Sequence, residues 1–188
     1  MILNKYNRQI ISPAQAKCGA RAVSAQLDDR KLSAYIEEAT KFDVTPVLTH
    51  KLVDDLLAYI NDDPAVRPAN ALFDKLLDGG EFTTKSGEYR SFAGLETCLC
   101  YYVYAYNAKF GSVSHTRFGS REKNDDYSVS AVAKREWREE YESAFKAAEL
   151  LLNECISFLQ VEGTEYFSSC KPARRVKHHG TTIKVVGD

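Results

Sequence analysis

Seventeen consecutive residues, Gly94 to Phe110 (GLETCLCYYVYAYNAKF), carry apolar or aromatic side chains almost all the way round a helix. A helix that faces water keeps a polar stripe, so this segment is stable only where other elements surround it. The chain must then fold as helices packed about residues 94–110, and 188 residues with 44% hydrophobic content suffice for one such core. The expected fold is mainly α: a helical bundle of about five helices with a long C-terminal helix, a small β-hairpin insertion and extended terminal arms.

The surrounding helices follow from periodicity. Asp28 can cap a helix in which Leu32, Tyr35, Ile36 and Ala39 share one face, ending near Phe42. Thr45-Pro46 signals a second start, because proline is tolerated in the first helical turn, and Val47, Leu48, Leu52, Val53, Leu56, Leu57 and Ile60 continue with helical spacing. That helix stops at Asn61-Asp62-Asp63-Pro64. A shorter one from about Ala69 to Asp78 presents Leu72, Phe73, Leu76 and Leu77 and closes at Gly79-Gly80. Residues 81–92, with Lys85-Ser86-Gly87 in their middle, read as a β-hairpin. Residues 112–129 are polar and read as a long loop or extended ribbon. From about Ser130 to Gln160 a stripe running from Trp137 to Leu159 predicts a final helix of roughly 45 Å, long enough to project beyond its neighbours.

Charge divides the chain into three. Residues 1–27 hold four bases and no acid, and residues 171–188 hold five bases against Asp188. The overall net charge is only −1, so the part between them is strongly acidic. The domain reading is a basic N-terminal arm (1–27) that lacks a helical stripe and becomes ordered only against something else, a helical domain (28–160), and a C-terminal arm (161–188) that is basic and strand-prone. The five cysteines form an odd set without CxxC spacing, as expected of reduced thiols, and Cys98 and Cys155 have core-like neighbours. The longest apolar run, Leu99 to Tyr106, is far short of the roughly 18 residues a membrane span needs, and Met1 to Ile10 has no signal-peptide pattern. A soluble protein without membrane contact is expected.

No reactive motif stands out, and neither a catalytic site, a metal nor a cofactor is expected. His50, His115, His178 and His179 lack the ligand spacing of a zinc site, and Cys98-x-Cys100 on a helix would aim its thiols about 200° apart. The acid pairs Asp54-Asp55, Asp62-Asp63 and Asp125-Asp126 read as solvated helix faces or turns. Tyr101, Tyr102, Tyr104 and Tyr106 could form a base-stacking platform, but their apolar flanks favour a core role with hydroxyls reaching helix boundaries. The C-terminal arm combines Lys171, Arg174, Arg175, Lys177, His178 and His179 with a strand-forming end that includes Ile183 and Val185. Two readings stay open: it adds to a partner's sheet edge beside an acidic surface, or it is a solvated tail. Basic arms also admit a nucleic-acid-binding regulator.

The segment order AYIEEATKFDVTPVLTHKLVDDLL, LFDKLLDGGEFT, GLETCLCYYVYAYNAKFG, TRFGSREKNDDYS and EWREEYESAFKAAELLLNECISFL resembles the head-tail connector (adaptor or ring) proteins of tailed bacteriophages. The likeness is greatest to those of Bacteroides-type hosts, crAss-like phages included, and covers residues 28–160. It implies a helical, non-enzymatic virion subunit, assembled in the host cytoplasm. Such subunits commonly form a dodecameric ring that docks on the portal protein, meets other neck or tail rings, and surrounds the DNA without reading its sequence. By position, the C-terminal arm would grip the portal. The Thr116 to Ser128 loop, with Arg117, Phe118, Arg121, Lys123, Asp125, Asp126 and Tyr127, would face the channel or the next subunit.

Overall fold

The computed structural model describes residues 9–21, 27–61, 70–110, 113–116, 119–122 and 131–167. In chain order these form α1 (Pro13–Cys18), α2 (Asp29–Ala39), a π-helical turn (Thr40–Val44), α3 (Thr45–Leu48), α4 (His50–Asn61), α5 (Ala71–Asp78) and the hairpin β1 (Gly80–Thr83) and β2 (Tyr89–Phe92). There follow α6 (Gly94–Phe110), the hairpin β3 (Val113–Thr116) and β4 (Gly119–Glu122), α7 (Ala131–Leu159) and α8 (Thr164–Phe167). The fold is mainly α, as expected, with α6 at its centre. Leu95, Cys98, Leu99, Tyr102, Val103 and Ala105 are all buried. The long helix α7 lies along one side of α6, and α1, α2 and α5 also pack on it.

Local chemistry explains most element ends. Asp28 accepts from the Arg30 N–H to start α2, and Asn70 accepts from the Leu72 and Phe73 N–H groups to start α5. Between α5 and α6 two stretches of backbone approach closely. Gly79 (φ 87°) and Gly94 (φ 82°) both take left-handed backbone, and a Cβ on Gly94 would overlap the Leu77 carbonyl. This pinch sets the base of the first hairpin, which pairs Gly80 with Phe92 and Phe82 with Arg90. Its inner face then meets α7, with the Phe92 ring stacked on Phe158 at 4.7 Å and Phe82 set edge-on to Phe158 at 5.8 Å. At the same end, α8 returns to the body: Tyr166 donates its hydroxyl to Asp55 at 3.0 Å, and its ring lies 6.1 Å from Phe73.

The structure departs from the sequence reading in three places, the last being that residues 161–167, read as the start of the C-terminal arm, turn back as α8 and pack on the body through Val161 and Tyr166. The helix expected to run unbroken from Pro46 to Ile60 is two helices, divided at Thr49, whose φ of 78° and ψ of 150° no regular helix allows. Val47, Leu48, Leu52, Val53 and Leu56 are buried on either side, so their spacing carried no sign of the break. Conversely, the expected gap between Phe42 and Thr45 is closed by the π turn. Pro46 has no N–H to donate, and in an α-helix its ring would collide with the carbonyl four residues back. The widened turn relieves that collision, and the Thr45 N–H and hydroxyl both reach back five residues to the Thr40 carbonyl, the hydroxyl at 2.7 Å.

The second departure concerns residues 9–18, which the sequence reading places in an arm awaiting a partner. They pack on their own chain instead, with Ile10, Ile11 and Ala16 buried in the core. Ser12 and Gln15 close a reciprocal capping box, in which the Gln15 N–H donates to Ser12 Oγ at 3.2 Å and the Ser12 N–H to Gln15 Oε1 at 2.8 Å. Six helical residues are too few to show a stripe, which is why periodicity missed them.

Two backbone positions make opposite predictions. Thr49→Gly relieves a conformation natural only to glycine and is expected to raise the unfolding free energy by about 1 kcal/mol. Gly94→Ala meets both a forbidden φ and the Leu77 carbonyl, and is expected to lower it by more than about 1 kcal/mol. Urea denaturation of the two variants measures both.

Candidate interaction surface

The chemically unusual part of the molecule lies where the C-terminal end of α6 meets the π turn and the middle of α7. Tyr104 and Tyr106 are two residues apart on α6, so their side chains leave on different sides. The Tyr106 hydroxyl donates to Asp43 Oδ2 in the π turn at 2.6 Å, and the Tyr104 hydroxyl donates to Glu140 Oε1 on α7. Arg21 caps the second pair, with its guanidinium carbon 5.5 Å from the Tyr104 ring centroid and Nη2 donating to Ser143 Oγ at 2.9 Å. Thus two of the four tyrosine hydroxyls, those of Tyr104 and Tyr106, reach helix boundaries, and each ends on a carboxylate.

Asp43 is the strained member of this network. Burial raises its carboxyl above the usual range, the Tyr106 hydrogen bond opposes this, and the negative charges of Glu149 on α7 and Glu38 on α2 raise it further. Burial, together with Asp43 itself, holds the Tyr106 hydroxyl far above its ordinary value, so it stays a donor. A half-buried acid surrounded by acids lowers stability, and such arrangements concentrate at functional sites.

Around this network the surface is aromatic and cationic. Phe42, beside Asp43, is 63% exposed, and Phe110 at the end of α6 is 39% exposed. Lys41 places Nζ 5.4 Å from the Phe42 centroid, while Lys109 Nζ lies 5.0 Å from Phe110 and 4.8 Å from Tyr141. Beyond Phe110 the β3–β4 ribbon begins, pairing Val113 with Glu122 and Thr116 with Gly119. From Trp137 to Ser143 no side chain is fully buried, and the first that is buried is Ala144. The part of α7 from Trp137 to Ser143 is therefore only partly covered, close to the end of α6 that carries Phe110.

Of the residues expected at the channel or subunit loop, Arg121 lies in β4 opposite Ser114. Arg117, Phe118, Lys123, Asp125, Asp126 and Tyr127 lie outside the described residues. So do the expected portal contacts Lys171, Arg174, Arg175, Lys177, His178, His179, Ile183 and Val185. The structure thus forms two groups that the sequence reading did not single out, Arg21 and Glu140 at Tyr104 and Asp43, next to Phe42, at Tyr106. The tyrosines of α6, read as reaching helix boundaries with their hydroxyls, were the legible hint.

Cys98, Cys100 and Cys155 behave as core, while Cys18 at the end of α1 is exposed. Cys98 Sγ points to the Ala148 carbonyl on α7 at 3.3 Å, and Cys100 Sγ to the Gln15 carbonyl of α1 at 3.6 Å, so the two thiols diverge as a helix requires. Burial pushes the Cys100 thiol up to about 11 and the Cys155 thiol up to about 12, which leaves both protonated and unreactive. Among the described residues no group of three or more His, Cys, Asp or Glu is placed to hold a metal ion, and no helix is long and apolar enough to cross a membrane.

This is a mainly helical body built round one enclosed helix, with an aromatic and charged end. A family model matches residues 44–176, and the chain belongs to that family, DUF6712, a family of unknown function. No curated protein and no solved structure matches it.

The raised carboxyl of Asp43 has a testable sign. In the folded chain Asp43 binds its proton more tightly than in the unfolded chain, so its ionisation opposes folding above the folded-state pKa and ceases to do so below the unfolded value of about 4. Asp43→Asn keeps an acceptor for Tyr106 without the charge. It is expected to be more stable than the parent at pH 7, with the advantage shrinking as pH falls toward 4 in urea titrations at several pH values.

Proposed function

We propose that this chain is a non-enzymatic structural subunit of a tailed-bacteriophage neck: a head-tail connector that joins copies of itself in a ring, docks on the portal protein and links capsid to tail around the DNA channel. The observation that carries this reading is the division of α7. Its second half, from Ala144 to Leu159, is seated in the core, whereas from Trp137 to Ser143 no side chain is fully buried, near the end of α6 where Phe42 and Phe110 are exposed. A ring subunit needs this combination, a rigid body plus apolar and extended elements that are covered only when neighbours arrive. The resemblance to connector proteins spans the same body, residues 28–160.

On this reading the helices fix the subunit's shape and the ends supply contact. The five bases of residues 171–188 grip the portal, with Ile183 and Val185 in the strand-prone stretch. Asp125 and Asp126 belong to the loop facing the channel or the next subunit, where negative charge limits adhesion to passing phosphate. The subunit works at the portal vertex of the virion after assembly in the host cytoplasm.

The test is a chain ending at residue 170, mixed with portal rings and viewed by electron microscopy. The truncated chain is expected to keep the parent's circular dichroism and melting, and to leave the portal bare where the full chain adds a ring. Normal occupancy by the truncated chain overturns the grip. A full chain that ignores portals yet binds bare DNA with steep salt dependence overturns the connector reading in favour of a nucleic-acid-binding regulator.

A further inference from the structure

A groove of about 320 Å³ lies where the end of α2 and the π turn face α4. Val53 and Leu57 of α4 give it an apolar side, and Glu37 of α2 and Asp54 of α4 add two carboxylates. Neither carboxylate is in an ion pair among the described residues. Two bases, Lys41 and His50, also line the groove, but Lys41 has its ammonium over the Phe42 ring.

The chain itself enters at this groove. Gln9 is part of the lining, held to α2 by Nε2 donating to the Ser33 carbonyl at 3.1 Å and to Glu37 Oε1 at 3.4 Å. The eight residues before it, MILNKYNR, contain Ile2, Leu3 and Tyr6 together with Lys5 and Arg8, and no acid. They match the groove in kind: apolar side chains for Val53 and Leu57, and cations for Glu37 and Asp54. The size also fits, because 320 Å³ holds roughly three leucine-sized side chains.

We infer that this groove is the docking surface of the chain's own N-terminal segment, residues 1–8. An extended eight-residue segment spans up to roughly 28 Å, so one leaving Gln9 reaches every part of the groove. Tethering decides between the chain's own segment and that of a second copy. A short linker gives an effective concentration of ~1 mM, far above that of a separate molecule in dilute solution, so a contact too weak to hold a free peptide still closes within one chain. The contact continues the seating of Ile10 and Ile11 on the body, and it needs no assembly.

The full-length chain carrying the photo-crosslinker p-benzoylphenylalanine in place of Leu57 tests this. It is irradiated as a dilute mixture of unlabelled and isotope-labelled copies, and crosslinked peptides are mapped by mass spectrometry. The expected result is crosslinks from position 57 to residues 1–8 within one isotopic form, with a yield that falls several-fold in Glu37→Lys/Asp54→Lys and in high salt. A control with the crosslinker at exposed Tyr89, on the first hairpin and outside the groove lining, is expected to leave residues 1–8 unmodified. Crosslinks that join labelled to unlabelled copies overturn the choice of occupant, and crosslinks to other segments, or none, overturn the docking surface. Circular dichroism of each variant confirms the fold on which the yields are compared.

Discussion

Enclosure of α6 is the constraint from which the rest of this structure follows. A helix apolar on every side must be covered on every side, and no single neighbour can do that. α7 covers the longest stretch, α2, α5 and α1 also pack against the helix, and each meets it with the one face its own sequence makes apolar. Even the short α1 is drawn in, with the Gln15 carbonyl against Cys100 of α6 and Ala16 buried in the core. The first hairpin and α8 then close the opposite end through Phe82, Phe92, Phe158 and Tyr166.

Where α6 carries tyrosines, enclosure creates a second obligation. A hydroxyl taken out of water needs a partner, and for two tyrosines of α6 the partners are acids: Asp43 for Tyr106 and Glu140 for Tyr104. Their cost differs with their surroundings. Glu140 has Arg21 near its tyrosine, whereas Asp43 faces Glu38 and Glu149. The same end of the molecule holds the π turn, two exposed phenylalanines and the partly covered stretch of α7, so strain and uncovered apolar surface coincide. This coincidence is what makes that end the natural place for contact with other chains in the proposed neck ring.

The legible parts of the sequence were those that repeat. The stripes of α2, α5 and α7 and the turn residues of the first hairpin correspond to observed elements, and the final helix expected over 130–160 is found as Ala131–Leu159. Events confined to one or two residues were not legible. Thr49 breaks a helix inside an uninterrupted apolar pattern, and Pro46, which reads equally well as a helix start, sits in a path that is continuous through a widened turn. The candidate surface was legible only in its tyrosines, since their partners Asp43 and Glu140 are separated from them by 63 and 36 residues and belong to no motif.

The sequence by itself determined that the chain is mainly helical, that residues 94–110 lie at its centre and that its last helix is long, because burial periodicity is a local property that survives without knowledge of neighbours. Tertiary structure decided which carboxylate each tyrosine meets, that residues 9–18 belong to the body, and where the second helical stretch bends. Those outcomes depend on distance in space, and a side chain's burial, charge state and partner are set by whatever the fold brings beside it.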